Sequence, residues 1–123
     1  MNTVFVYGTH KRGGSNHLFL RGQKFLGDAR TAPGFTLYSL GDYPGMVRAP
    51  GDTAGVTGEL WSVDDDCLAE LDRLEGLAEG LYERIDVLLV PNGIAGSAQT
   101  YLYLRQLDGL APIGDYWPTQ RTT

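Results

Sequence analysis

A chain of 123 residues is sized for one domain, residues 1–123, around one hydrophobic core. Its formal charge of -5, with 10 Lys and Arg scattered among 15 Asp and Glu, argues against the basic face that a phosphate backbone requires, so small molecules rather than nucleic acid are the expected partners. Cys67 is the one cysteine and forms no intrachain disulfide; no basic stretch followed by a long apolar run opens the chain, and no segment nears the roughly 18 apolar residues of a membrane span, so a cytoplasmic chain without membrane contact is expected.

Val4-Phe5-Val6-Tyr7 is an uninterrupted apolar run that reads as a strand buried on both faces, and Gly8 ends it where the chain must turn. Thr9-His10-Lys11-Arg12-Gly13-Gly14 then reads as a glycine-punctuated loop. A residue without Cβ at position 8 lets main-chain N–H groups approach a bound anion, and Thr9, Lys11 and Arg12 add a hydroxyl and two positive charges. The stretch is a candidate oxygen-binding cradle, and it also reads as a tight turn bearing two solvated cations. Asn16-His17-Leu18-Phe19-Leu20 is expected to form a short helix capped by Ser15 or Asn16, apolar residues inward. His17 reads as a packed or surface residue, or as one that bonds to the loop or touches a ligand.

Pro33-Gly34 opens the next element, and Phe35 to Leu40 alternate as a strand until Gly41-Asp42. Tyr43-Pro44-Gly45-Met46-Val47 reads as a Pro-Gly turn and Asp52 to Gly55 as a polar connection, serving as pocket walls or as ordinary loops. From Gly55 to Val63 a strand is expected with Val56, Gly58, Leu60 and Ser62 on one side and Thr57, Glu59, Trp61 and Val63 on the other. Gly58 would permit close backbone approach. Tyr82 to Val90 and Ala98 to Leu104 read as a hairpin, with turn chemistry in Pro91-Asn92-Gly93. The tail from Gly109 lacks periodicity, yet Ile113, Tyr116 and Trp117 are costly to leave in water and should pack back. Strands spread along the chain with one clear helix indicate an α+β fold with a curled sheet or small barrel.

That helix begins at Asp64, the expected N-cap, carries Asp65 and Asp66 in its first turn, and stops at Gly76. Leu68, Leu71 and Leu74 recur at helical spacing, and Glu75, four after Leu71, shares their face. Its place in the last turn sets it against the carbonyl end of the helix dipole; burial and dipole together should raise its pKa, which makes Glu75 a candidate general acid/base. The alternative is a boundary residue reaching water. Glu70 and Asp72 read as solvated charges. Cys67, early on the apolar side, reads as a small hydrophobe rather than a nucleophile, and two histidines with one cysteine provide no zinc spacing.

Val4-Phe5-Val6-Tyr7-Gly8-Thr9, Lys11-Arg12-Gly13, Asn16-His17, Gly58-Glu59-Leu60-Trp61, Leu71-Asp72-Arg73-Leu74-Glu75-Gly76 and Leu81-Tyr82-Glu83-Arg84, in this order, resemble the gamma-glutamylcyclotransferase-like family, in particular its gamma-glutamylamine cyclotransferase branch. The resemblance implies a small mixed β-barrel with flanking helices and neither metal nor organic cofactor. It also implies that Tyr7, Gly8, Thr9 and His10 bind substrate and that Glu75 is the catalytic acid/base. His10 stands where family members commonly carry leucine, and reads as a pocket or a surface residue.

The expected reaction is cleavage of a gamma-glutamyl amide by its own α-amine, releasing 5-oxoproline and a free amine. Two other classes compete. A non-catalytic module could hold a small carboxylate or peptide end in the Tyr7-Gly8-Thr9 loop, and a hydrolase could use Cys67.

Overall fold

In a computed structural model, which describes residues 1–90 and 96–118, the chain runs through β1 (Asn2–Val6), a 3-10 helix (His17–Leu20), β2 (Lys24–Arg30), β3 (Phe35–Ser39) and β4 (Pro44–Arg48). It continues through β5 (Thr57–Val63), α1 (Asp65–Leu74), β6 (Tyr82–Leu88), β7 (Ser97–Tyr103) and β8 (Pro112–Gly114). Five strands pair in the order β2-β5-β1-β7-β6, and three more as β4-β3-β8. β1 is antiparallel to β5 and parallel to β7, so the larger sheet is mixed.

The fold is α+β, and among the described residues the two sheets are not closed, so the expected small barrel is not borne out. Closure needs a continuous ladder between edge strands. Here the edges of the larger sheet meet at one bridge, Thr31 with Leu89, flanked by Ala32 N–H to Leu88 O and Val90 N–H to Arg30 O.

β1 is buried on both faces because each face meets its own core. Phe5 and Tyr7 pack with Leu37, Met46, Leu60 and Leu102. On the other side Val4 and Val6 pack with Trp61, Val63, Leu68 and Leu71, beneath the helix. β5 splits in the same way, Leu60 to one core and Trp61 and Val63 to the other, as its alternation requires. Gly58 faces β1 so closely that a Cβ would sit 2.4 Å from the Val6 carbonyl oxygen.

The structure departs from the expected elements at four places. β2 carries no legible period: Ala29 is its one buried residue, and the register shifts between Phe25 and Gly27, so a bulge interrupts the alternation. Tyr43 to Val47 is not a turn, since Pro44 begins β4, where the missing N–H is harmless at the first residue of an edge strand. The 3-10 helix buries Leu20 but leaves Leu18 and Phe19 exposed, and Asn16 caps it without a side-chain bond. In the tail, Trp117 packs against the first core while Ile113 and Tyr116 stay exposed. The β6–β7 pairing holds from Tyr82 with Tyr103 to Leu88 with Ser97. Its expected turn residues, Pro91, Asn92 and Gly93, lie outside the described residues.

Candidate active site

β1, the central strand of the larger sheet, delivers Tyr7 just past its C-terminal end, and the chain then curls on itself. Lys11 N–H bonds to Gly8 O at 3.1 Å, Gly14 N–H to Lys11 O at 2.8 Å, and Asn16 N–H to Thr9 O at 2.9 Å. Gly14 permits this curl, because a Cβ there would lie 2.2 Å from Thr9 O. Asn16 also donates its side-chain amide to Thr9 Oγ1 at 3.0 Å, so the loop is tied at both main chain and side chain.

The opposing wall comes from α1. Asp64 accepts Cys67 N–H on its carboxylate at 2.7 Å, the cap expected from the sequence. Leu68 and Leu71 then anchor the helix in the core under β1, and Glu75, one turn past Leu71, ends it as the C-cap. Gly76 follows with φ +70°, a conformation favoured by glycine, and turns the chain away. Tyr7, Gly8, Thr9, His10 and Glu75 thereby line one cavity of about 290 Å³, at the lower end for small-molecule sites.

Lys11 and Arg12 do not join them. The Lys11 ammonium is buried, donating to Trp117 O and lying 4.0 Å from the centre of the Tyr116 ring. Burial pushes its pKa down, with Glu59 and Asp28 opposing. Arg12 is held by Glu59 and Asp28. Among the described residues no lysine or arginine lines the cavity, so an anion there would rely on main-chain N–H groups. Gly8, Thr9 and His10, all on the lining, each carry a main-chain N–H that no acceptor among the described residues engages.

Tyr43 and Pro44 also line the cavity, in keeping with the pocket-wall reading of their segment, and so do Asn16, Tyr82 and Tyr101, which the sequence does not single out as site residues. The Tyr7 hydroxyl donates to Tyr101 O at 2.7 Å and accepts Met46 N–H at 3.2 Å, while Tyr82 donates to Pro44 O at 2.9 Å. Tyr101 donates to Asp72 at 2.7 Å, and Arg84 pairs with the same carboxylate. Asp72 is therefore not the solvated charge its spacing suggested. Burial first, then the nearby Glu75 charge, pushes the Tyr7 phenol far up. Burial likewise raises Tyr82, and burial with the Asp72 bond raises Tyr101. The one legible signal was that a buried tyrosine needs a partner for its hydroxyl.

Residues 4–118 match the model of the gamma-glutamyl cyclotransferase, AIG2-like family. The chain belongs to that family. It is 41% identical over 117 residues to the gamma-glutamylcyclotransferase family protein YtfP of Escherichia coli, covering 92% of this chain and 94% of that one. The solution structure of E. coli ytfP superposes with a TM-score of 0.64 at 37% identity, covering 94% of both chains. An AIG2-like protein of mouse, at 32% identity, covers 85% of this chain and 77% of its own, with a TM-score of 0.67. Membership of the gamma-glutamyl cyclotransferase family supports a cyclotransferase-type function and suggests a small gamma-glutamyl substrate.

In this cyclotransferase-family chain Cys67 lies outside the cavity lining, and burial, with Asp64 and Glu70, pushes its thiol up, away from the thiolate a nucleophile needs. Among the described residues no three His, Cys, Asp or Glu side chains converge as metal ligands. His17 does bond to the loop, its Nδ1 donating to His10 O at 2.9 Å. The arrangement places a carboxylate and residues with unengaged main-chain N–H groups on the lining of one small cavity, which suits proton transfer beside a developing oxyanion.

Proposed function

We propose that the protein is a gamma-glutamylamine cyclotransferase, which releases 5-oxoproline and a free amine from a gamma-glutamyl amide. The observation that carries this reading is the position of Glu75, on the wall of the cavity that Gly8, Thr9 and His10 also line. The glutamyl α-nitrogen attacks its own γ-carbonyl, forming the ring C–N bond, and the bond to the leaving nitrogen then breaks. Two protons leave the α-nitrogen, which begins as an ammonium and ends as a lactam N–H. Glu75 takes the first and passes it to the leaving nitrogen; the second follows the same route, so the product amine departs as an ammonium. No water is consumed.

Main-chain N–H groups of the loop hold the substrate's α-carboxylate and steady the oxygen of the tetrahedral intermediate, a task suited to fixed donors. Tyr7 contributes shape rather than a hydroxyl, since its oxygen is already bonded to Tyr101 and Met46. The cavity must fold the glutamyl group, because an extended one cannot cyclise. A panel of gamma-glutamyl amines and gamma-glutamyl dipeptides assayed for 5-oxoproline tests this. Turnover of amines above dipeptides is the expected result; binding without turnover across the panel would favour a non-catalytic carboxylate-binding module.

A further inference from the structure

Glu75 does not stand alone on its wall. His10 Nε2 lies 3.5 Å from Glu75 Oε2, and the two side chains are 9% and 20% exposed. The other ring nitrogen is committed elsewhere, with His10 Nδ1 3.2 Å from the main-chain oxygen of Asn16. A carbonyl only accepts, so this contact assigns the proton to Nδ1. Phe19 packs edge-on against the ring, 6.3 Å between centroids. The His17 bond to His10 O fixes the main chain beneath it. With Nδ1–H facing Asn16, a neutral ring would turn its Nε2 lone pair toward a carboxylate oxygen, and the two would repel. The contact, an ion pair at this distance, is attractive only when one of the two atoms carries a proton.

We propose that His10 and Glu75 form a one-proton pair in which His10 is a positioning residue. It holds Oε2 and keeps the carboxylate ionised, leaving Oε1 to meet the α-ammonium of the substrate. This rests on the acid/base role proposed for Glu75. His10 keeps its Nε2 proton throughout the cycle, and only Oε1 exchanges protons with the substrate. The other titratable groups facing the pair are phenols: Tyr7 after β1, Tyr43 before β4, Tyr82 on β6 and Tyr101 on β7. Beside Glu75 on α1, Asp72 is engaged by Arg84 and Tyr101, and Arg73 pairs with Glu70. On the 3-10 helix, His17 faces the His10 carbonyl. No carboxylate other than Glu75 lines the cavity among the described residues, so the acid side of the activity profile belongs to the pair.

The test compares wild type, His10→Leu, His10→Gln and Glu75→Gln. In His10→Leu the acid limb of kcat/KM for 5-oxoproline release moves up by about one pH unit. At pH 6 kcat falls about 10-fold while KM stays within about 3-fold. His10→Gln can donate an amide N–H to Oε2 but carries no charge, so it recovers kcat at pH 8 and not the acid limb. A loss equal at every pH, with the limb unmoved, would overturn the proposal and leave His10 a packing residue. Nitrogen-15 NMR of the substrate-free protein decides the pair without turnover. The His10 ring is Nδ1-protonated when neutral, and its titration moves to lower pH in Glu75→Gln but not in the surface control Glu79→Gln. If no gamma-glutamyl compound is turned over, the proposed function fails while the NMR result still stands or falls alone; a His10 titration indifferent to Glu75→Gln overturns the pairing.

Discussion

Gly8 and Pro44 touch so closely that a Cβ on Gly8 would lie 2.7 Å from Pro44 Cγ and 2.9 Å from Pro44 Cδ. The missing side chain at position 8 therefore seats the first residue of β4 against the cradle, as well as leaving its main chain open. Gly8→Ala should destabilise the protein by about 1–3 kcal/mol through overpacking. Because the partner is a single ring, Gly8→Ala combined with Pro44→Ala should be more stable than the sum of the single changes implies. Urea denaturation of the three variants measures this, and strict additivity would mean that the strain lies elsewhere.

Glu75→Gln keeps the shape of the cavity wall and removes the group that moves protons. Turnover of the best gamma-glutamyl amine should fall by about 10²-fold to 10⁴-fold, with substrate binding retained. The measurements are single-turnover release of 5-oxoproline and calorimetric binding of the same substrate. An active Glu75→Gln enzyme would transfer the acid/base role to another group.

Three buried phenols set an alkaline limit. Tyr7, Tyr82 and Tyr101 all have folded pKa values raised above the ordinary 10.0, chiefly by burial. Their contribution to stability is fully present below pH 10 and is lost as pH rises beyond it, because the unfolded chain ionises first. The phenols should leave denaturation midpoints unchanged below pH 10 and lower them above it. Tyr101→Phe should lessen that alkaline slope, while costing stability at pH 7 through the lost bond to Asp72.

Asp52 acts in the opposite direction. Its carboxylate accepts N–H bonds from Gly55 at 2.7 Å, Gly34 at 3.1 Å and Ala54 at 3.2 Å, and these hold its pKa below the ordinary 3.8. The stability it contributes is present above the unfolded value and disappears as pH falls through the folded one. Asp52→Ala should be less stable than wild type at pH 7, and the gap should narrow below pH 3.8. Paired denaturation curves at pH 7 and pH 3 check the sign.

Local chemistry in the sequence determined β1, β5, the cap at Asp64 and the stop at Gly76. Each rests on neighbours in the chain: an apolar run, a period of two, an oxygen three residues before an N–H, a glycine at positive φ. The same arithmetic placed Glu75 on the leucine face, and the motif order carried the family. Tertiary packing decided the rest. β2 escaped notice because its bulge breaks the period, and β4 because Pro44-Gly45 is turn chemistry unless β3 lies beside it. Adjacency left Lys11 and Arg12 as either cradle cations or solvated ones, whereas Trp117, Glu59 and Asp28, distant in sequence, hold them away from the cavity. Nor could spacing bring together His10 and Glu75, since 3.5 Å between their side chains follows from packing α1 under β1. A side chain's direction is set by its own element, but its partner is set by which element the core places opposite it.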